Sequence, residues 1–204
     1  MKHLLRVVKD AADERDHVAA PAMPPATVTS LSMRSKVPYI KDQGPLGSCT
    51  AHAGTELLEM LVRNHPSEIP ATVNRTTLRF SPLFQYALER IAEGSFSQDA
   101  GADSRTIFRV LAKSGCCLET ADPYVPGNYL MLPTDALRAQ AAQYKIDAYH
   151  RILDVNTAKS VLLSGYTFTV GMPVFQQMES DEAAANGLLA MPQGSAIGGH
   201  EMHV

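Results

Sequence analysis

The chain has 204 residues, 45% hydrophobic and 19% charged, a balance typical of one globular domain or of two closely packed lobes. A formal net charge of -3 gives no electrostatic basis for binding nucleic acid or an anionic membrane. No apolar run is long enough to cross a bilayer. We therefore expect no nucleic-acid partner and no membrane insertion, and we expect a monomer.

Residues 1–36 show no clear periodicity, and we treat them as an N-terminal arm. The basic, partly apolar residues 1–8 are followed at once by the acidic Asp10 and Asp13, so this stretch is a poor secretory signal. We expect a cytoplasmic protein, or one exported without a recognisable secretory signal. The Ala/Pro-rich residues 19–26 are typical of a linker, and a disordered tail is one interpretation of the whole arm.

A Gly/Pro-rich turn then leads into a predicted helix that begins at a cysteine. Before the turn, the residues Val37–Ile40 are expected to form an extended strand. A helix over 49–64 is indicated by apolar residues at helical spacing, namely Leu57, Leu58 and Leu61. Ser48 is a natural N-cap for this helix.

The position of Cys49 at the start of a helix favours an anion there. Unpaired backbone N–H groups and the helix dipole stabilise negative charge in the first turn, which predicts a lowered thiol pKa and a nucleophile. Gln43 lies six residues upstream on the loop that leads to the cysteine. Its side-chain amide could swing beside the Cys49 N–H, and together these two donors could hold an oxyanion.

The remaining pattern predicts a helical first half and a second half richer in strands. Ser81 is predicted to cap a second helix, with Pro82 at its first position. Further helices are predicted over 104–114, 133–143 and from Asn156 to 165. Residues rich in β-formers or alternating lie at 144–152, 167–175, 187–191 and 199–204, with a polar loop at 176–186.

The other two cysteines, Cys116 and Cys117, are adjacent in the sequence. Adjacent cysteines rarely bridge each other and one of three must remain free, so the chain has no disulfide framework and suits a reducing compartment. We interpret this pair as structural. Neither a CxxC nor a paired histidine motif is present, so we expect no metal and no cofactor.

Three of the seven histidines bear on the chemistry of Cys49. His200 follows Gly198 and Gly199, which allow close backbone approach, and is the candidate general base. His52 lies one helical turn after Cys49, but so close a pair leaves little room for a substrate, so we expect His52 to pack or to hydrogen-bond. His203 lies at an odd spacing from His200 and should face away from it on a strand.

These residues resemble the papain-like cysteine peptidases. The run Gln43-Gly44-Pro45-Leu46-Gly47-Ser48-Cys49 is similar to the family's Gln-Gly, turn, Gly-Ser-Cys pattern, and the form with Thr50-Ala51 resembles bacterial branches. Further similar segments are Phe80–Tyr86, the series Gly115, Glu119 and Pro123-Tyr124, and Gly198-Gly199-His200. The resemblance covers 37–204, which we treat as the peptidase domain.

The resemblance implies a papain-like α+β fold with a helical N-terminal lobe and a β-barrel-like C-terminal lobe. The cleft between the lobes would carry Cys49 as nucleophile on one wall and His200 as base on the other, with Gln43 and the Cys49 N–H holding the oxyanion. Gly101 and Ala102 could pair with an extended peptide substrate, although a simple loop glycine before a helix explains Gly101 as well.

The resemblance also bears on both ends of the chain. It allows the arm to be a short prosegment that covers the cleft, or an extended strap on the surface. The family has an Asn or Asp well downstream of its histidine, which orients the imidazole. Because the sequence stops four residues after His200, we expect that residue and several strands to be missing, as in a truncated chain.

The predicted function is that of a cysteine endopeptidase that acts on peptide or protein substrates through a thioacyl-enzyme. An alternative from another class is a catalytically inactive papain-fold protein that binds or inhibits. A third is the same Cys-His chemistry with transfer of the acyl group to an acceptor other than water.

Overall fold

A computed structural model of the chain describes residues 4–20, 30–37, 39–64, 74–189 and 191–204. In chain order the described elements are α1 (Cys49–Asn64), α2 (Pro82–Glu93), α3 (Ser104–Ser114), α4 (Asp135–Ala141), α5 (Val155–Leu163), β1 (Thr169–Phe175), α6 (Asp181–Asn186) and β2 (Ala196–His203). Short 3-10 turns lie at Arg34–Lys36, Pro126–Asn128 and Gln176–Glu179. None of the described helices is long and apolar enough to span a membrane.

Helices α1, α2 and α3 pack into one apolar core. Its fully buried members include Phe80, Phe84, Ile107 and Leu111. The helices approach closely at Gly54 of α1, where an added Cβ would lie 2.3 Å from Ile107 Cγ2. A side chain at this position would therefore push α3 away from α1.

Local capping explains why the first-half helices begin where the sequence predicts. Ser81 Oγ accepts a hydrogen bond of 3.0 Å from the Phe84 N–H, which confirms the predicted cap of α2. Asp103 caps α3 in the same way, through a 2.7 Å bond from the Thr106 N–H. The bounds of α1 and α3 match the predicted ranges 49–64 and 104–114.

A buried carboxylate ties the loop before α1 to the helix itself. Glu59 is 1% exposed and lies 2.8 Å from Lys41 Nζ and 3.2 Å from Arg63 Nη2. The same carboxylate accepts a 2.9 Å hydrogen bond from the Phe80 N–H. Because the cationic and amide donors compensate its burial, Glu59 can anchor the loop that carries Gln43.

The described second half contains a small open sheet and not a β-barrel. Strands β1 and β2 pair antiparallel, with Met172 opposite His200 and Val170 opposite Met202, and β2 packs on α1. The described residues of 37–40, 144–152 and 187–191 form no strand, contrary to prediction. Residues 38 and 190 lie outside the described residues, as does most of the loop predicted after α1.

Other helix predictions in the second half were partly wrong. The predicted polar loop 176–186 instead holds the 3-10 turn and α6, because Ser180 Oγ caps the Ala183 N–H at 3.2 Å and three alanines follow. Helix α5 is capped by Asp154, which accepts from the Asn156 and Thr157 N–H groups, and not by Asn156. Sequence spacing alone did not separate these neighbouring cap candidates.

Candidate active site

The structure brings Cys49 and His200 to the same cavity. Cys49 is the first residue of α1, and His200 lies in the middle of β2, which packs across that end of the helix. Both residues line a cavity of about 320 Å³ that also includes Gln43 and Glu56. The fold thus brings His200, about 150 residues downstream, to Gln43 and Cys49, as predicted from the sequence.

Burial determines the titration of the Cys49 thiol in this structure. Cys49 is 1% exposed, and burial raises its pKa, although the main-chain N–H groups of Glu201 and Thr50 act in the opposite direction. The negative charge of Glu89 raises the pKa further. The predicted lowering is therefore wrong for this conformation, because loss of solvent outweighs the helix-start donors.

Gln43 borders the site, and its amide already has carbonyl partners. Its Nε2 donates to the Leu46 carbonyl at 2.8 Å and to the Leu4 carbonyl of the N-terminal arm at 3.2 Å. The Tyr124 hydroxyl donates to the Gln43 carbonyl at 2.7 Å and lies 2.7 Å from Ser48 Oγ. Tyr124 thus holds both ends of the loop that leads to Cys49.

Ser48 stands directly before α1, where the sequence predicts a cap, and its hydroxyl contacts two side chains. Its hydroxyl lies against Tyr124 and 3.3 Å from His52 Nδ1, while the His52 Nδ1–H donates to the Ser48 carbonyl at 2.8 Å. Burial lowers the pKa of His52 to about 4, and its ring contacts the Tyr124 ring edge-on at 4.6 Å. His52 is thus neutral near pH 7 and packs, as expected.

His203 shares the cavity with His200, although alternation along a strand predicts that they face apart. Four consecutive residues of β2, His200 to His203, line the cavity, so it is bordered by residues from both faces of the strand. Burial lowers the pKa of His203 to about 4, and the positive charge of Lys41 adds to this effect. Alternation decides the face of a sheet, but a cavity that extends past the strand reaches both faces.

Two buried carboxyl groups near Cys49 were not singled out from the sequence. Glu201 directly follows His200, is 2% exposed and accepts a 2.6 Å hydrogen bond from Ser104 Oγ of α3. Glu89 is fully buried, and its pKa is raised by burial to about 8 although Thr50 Oγ1 donates to it at 2.7 Å. The sequence did offer one signal for Glu89, since it is an acidic residue on an apolar face of α2.

The N-terminal arm passes beside the site, where Arg6 and Val8 form isolated parallel β-bridges with Gly199 and Asp103. The Val7 N–H donates to the Gly199 carbonyl at 3.1 Å, and the Val8 N–H to the Ala102 carbonyl at 3.4 Å. The candidate substrate-binding residues Gly101 and Ala102 therefore lie against a peptide strand, which is the arm itself. This placement favours the covering-segment interpretation of these arm residues over that of a disordered tail.

The arm lies in a slot lined by glycines, which we call the glycine slot and define by Gly47, Gly101, Gly198 and Gly199. An added Cβ at Gly101 would lie 2.1 Å from the Arg6 carbonyl oxygen, and one at Gly198 would lie 2.5 Å from Leu5 Cβ. At Gly199 it would lie 2.5 Å from the Val7 carbonyl oxygen. Since real side chains do not approach so closely, the slot accepts a peptide backbone only because these positions lack a Cβ.

The part of the arm that follows the slot is held by a second set of contacts, which are ion pairs. Asp16 lies 2.8 Å from Arg105 Nη2 and 3.1 Å from Arg151 Nε, and Asp10 lies 2.8 Å from Arg151 Nη2. We call these four residues the clasp. Arg105 belongs to α3, and Arg151 precedes α5, so the clasp joins the arm to both halves of the chain.

Cys116 and Cys117 are fully buried in the helical core, as their structural interpretation requires. Burial raises the pKa of Cys117 to about 12, and the pKa of Cys116 is raised well above its usual value for the same reason. Within the part of the chain that the structure describes, no group of three or more His, Cys, Asp or Glu residues could hold a metal ion.

Comparison with known proteins places this geometry in context. A peptidase C1-like protein of Acanthamoeba polyphaga mimivirus is 33% identical over an alignment of 171 positions, and the match covers 78% of this chain and 52% of that protein. The chain thus matches about half the length of this curated relative. No family model matches the sequence.

Two solved structures are similar to this chain in fold. Xylellain, a cysteine protease from Xylella fastidiosa, superposes with a TM-score of 0.77 at 29% identity, covering 98% of this chain and 78% of its own. The procathepsin B S9 of Trypanosoma congolense has a TM-score of 0.71 at 14% identity, covering 98% of this chain and 69% of its own, and shows the fold alone. The chain has a papain-like α+β fold, and the comparisons support the papain-like cysteine peptidases as its family.

Proposed function

We propose that the protein is a cysteine endopeptidase that cleaves peptide bonds with Cys49 as nucleophile and His200 as acid and base. The observation that carries this proposal is the shared cavity of Cys49, His200 and Gln43, because a thiol, an imidazole and an amide donor are the groups that acyl transfer requires. The relation to xylellain supports the same reaction class.

The chemistry needs no further reactant than water. The Cys49 thiol gives its proton to His200 as its sulfur attacks the peptide carbonyl carbon, and the oxyanion accepts hydrogen bonds from Gln43 Nε2 and the Cys49 N–H. The His200 imidazolium gives its proton to the leaving amine as the C–N bond breaks. Water, deprotonated by His200, then attacks the thioester and releases the carboxylate and the free thiol.

We also propose that the N-terminal arm keeps this site closed. Two contacts of the arm support this role. The arm hydrogen-bonds to Gly199, next to His200, and its Leu4 carbonyl accepts from the side-chain amide of Gln43, which the oxyanion would need. A segment tethered to the site acts at high effective concentration, so it competes strongly with a free substrate. Burial of Cys49 agrees with this closed state.

The alternative is a catalytically inactive papain-fold protein that binds or inhibits. Two observations favour this alternative: Cys49 is buried, and the pKa of its thiol is raised. Such a protein would keep the fold and the glycine slot without turning over a peptide.

The test uses the full chain with Val7→Pro, which removes the N–H that donates to Gly199 and so loosens the arm. We expect this variant to cleave unstructured peptides faster than the parent chain and to lose all cleavage when Cys49→Ser is added. Glu14→Pro is the control, because residue 14 is the second residue of a turn closed by the Asp16 N–H and the Asp13 carbonyl, where proline fits.

The two candidate functions differ in one outcome. If Val7→Pro makes Cys49 reactive towards iodoacetamide but no peptide is cleaved, the inactive binding protein is the better description. If the parent chain and Val7→Pro cleave peptides equally, the arm does not close the site.

A further inference from the structure

The wall of the glycine slot at Gly47 carries a carboxylate beside the arginine of the arm. An added Cβ on Gly47 would lie 3.0 Å from Arg6 Cδ and 3.2 Å from Asp99 Oδ1. The Arg6 side chain therefore runs over Gly47, two residues before Cys49, and Asp99 borders the same space. Where the arm passes Gly47, its basic side chain and an acidic residue of the wall are neighbours.

Hydrogen bonds hold the Asp99 carboxylate in place. The Gly47 N–H donates to both of its oxygens, at 3.0 and 3.2 Å, and the Tyr86 hydroxyl donates to Oδ1. Tyr86 in turn accepts a 3.1 Å hydrogen bond from the Gly101 N–H. Asp99 is thus connected to two glycines of the slot, and its charge has a defined position relative to a bound peptide.

The charge of Asp99 is not neutralised by an ion pair in the described part of the chain. None of the described basic nitrogens lies within 4 Å of its carboxylate. The neighbouring Arg90 stacks on Tyr86 at 4.2 Å, but its guanidinium donates to main-chain carbonyls, which belong to Phe96, Gln98 and Tyr129. A cation entering the slot at Gly47 would therefore meet a carboxylate that still attracts it.

We propose that Asp99 is a specificity-determining residue that selects an arginine or lysine in the bound peptide at the place now held by Arg6. This inference rests on the proposed peptidase function where it concerns substrates. The rest of the slot recognises backbone, because its walls are glycines and its hydrogen bonds go to main-chain groups. Arg6 itself makes no ion pair within 4 Å of Asp99, so the attraction acts over a longer distance. Asp99 supplies a side-chain preference of about two- to fivefold for a basic over a neutral residue, the range of exposed charge pairs.

The first experiment needs no catalysis and uses the full chain in four forms: parent, Arg6→Gln, Asp99→Asn and the double variant. The readout is the rate of Cys49 alkylation, which by the proposal above rises when the arm leaves the site. Each single change should speed alkylation about two- to fivefold, and the double variant should be no faster than either single one. Arg15→Gln is the control, because Arg15 pairs with Asp13 within the arm.

Asparagine at 99 can still accept from Gly47 and Tyr86, so the cycle tests charge more than structure. Near-ultraviolet circular dichroism of each variant checks that the fold is kept. Multiplying effects in the double variant, or an Arg6→Gln chain that behaves like Arg15→Gln, would overturn the inference.

The second experiment addresses substrates in the Val7→Pro chain. Peptide libraries carry arginine, glutamine or glutamate at one position at a time, and kcat/KM is measured with and without Asp99→Asn. We expect one position to favour arginine and to lose that preference in Asp99→Asn. If arginine is preferred nowhere, or the preference survives Asp99→Asn, Asp99 does not select the substrate. If no peptide is cleaved, the peptidase proposal fails while the alkylation cycle still decides the role of Asp99.

Discussion

Gln43 Nε2 lies 3.2 Å from the carbonyl oxygen of Leu4, so the amide that the sequence assigns to an oxyanion is hydrogen-bonded to the chain's own arm. The relationship has two consequences. Gln43 is shown to be able to reach a peptide carbonyl at this site, and the arm must release it before a substrate carbonyl can take its place.

The first prediction concerns Gln43→Ala in the Val7→Pro background. Loss of one oxyanion donor should lower kcat about 10²-fold with little change in KM, because the hydrogen bond strengthens as charge develops on the oxygen. Steady-state kinetics on a peptide substrate measure this. Gln177→Ala, whose amide bonds only to the remote Gln193 carbonyl among the described contacts, should leave both constants unchanged. An equal loss in both variants would remove Gln43 from the oxyanion site.

The second prediction concerns the pH dependence of thiol labelling. Burial raises the pKa of Cys49 in the closed chain, so its alkylation rate should keep rising with pH beyond the usual range of a thiol. Val7→Pro should move the curve to lower pH by returning solvent to the site. Mass spectrometry after limited iodoacetamide treatment at pH 6 should find Cys49 modified ahead of Cys116 and Cys117. Faster labelling of that pair would contradict the assignment of Cys49 as nucleophile.

The third prediction concerns the clasp. Asp16→Asn removes a charge that faces both Arg105 and Arg151, so the arm should open more often and Cys49 alkylation should speed up several-fold. Added KCl should do the same in the parent chain by screening the ion pairs, and should have less effect in the variant.

Asp13→Asn provides the matched control for the clasp. It removes the same charge from the arm, but its partner is Arg15 on the same segment. Equal effects of the two substitutions would mean that net charge of the arm, and not the clasp, governs opening.

The fourth prediction concerns stability and Glu89. The pKa of this carboxyl is raised to about 8 from an ordinary 4.5. Between these two pH values the folded state keeps a proton on Glu89 that the unfolded state has released. Its stabilising contribution is complete below about pH 4.5 and is lost as pH rises through about 8. Glu89→Gln should therefore flatten the fall in the free energy of unfolding between pH 5 and 8, by more than about 1 kcal/mol. Denaturant titrations at several pH values measure this, and parallel curves for the two chains would refute it.

Much of the helical half was predictable because its signals are local. Ser81 and Pro82 start α2, Gly115 ends α3, and each acts on residues within one turn. The pairing of Cys49 with His200 was proposed from motif resemblance, and the structure places them on one cavity. Neither the burial of Cys49 nor the raised pKa of its thiol was predictable, since both depend on which segments cover the site.

Features built from distant parts of the chain were missed. Arg6 and Asp99 are more than ninety positions apart in the sequence but lie near the same glycine, Gly47. No pattern of sequence spacing predicts this proximity. The second half was predicted less well because a strand exists only when a partner pairs with it. Residues 144–152 contain β-forming side chains, but among the described residues only Arg151 makes a bridge, to Val18 of the arm.

The glycine slot also determines which changes the arm can tolerate. Its hydrogen bonds from Val7 and Val8 use main-chain N–H groups, and glycine walls do not distinguish one side chain from another. The residues at positions 4, 5, 7 and 8 can therefore vary widely while the segment keeps its seat, with proline excluded at 7 and 8. A covering segment of this kind is free to diverge in sequence faster than the domain beneath it, because its fit depends on the shape of a polypeptide backbone.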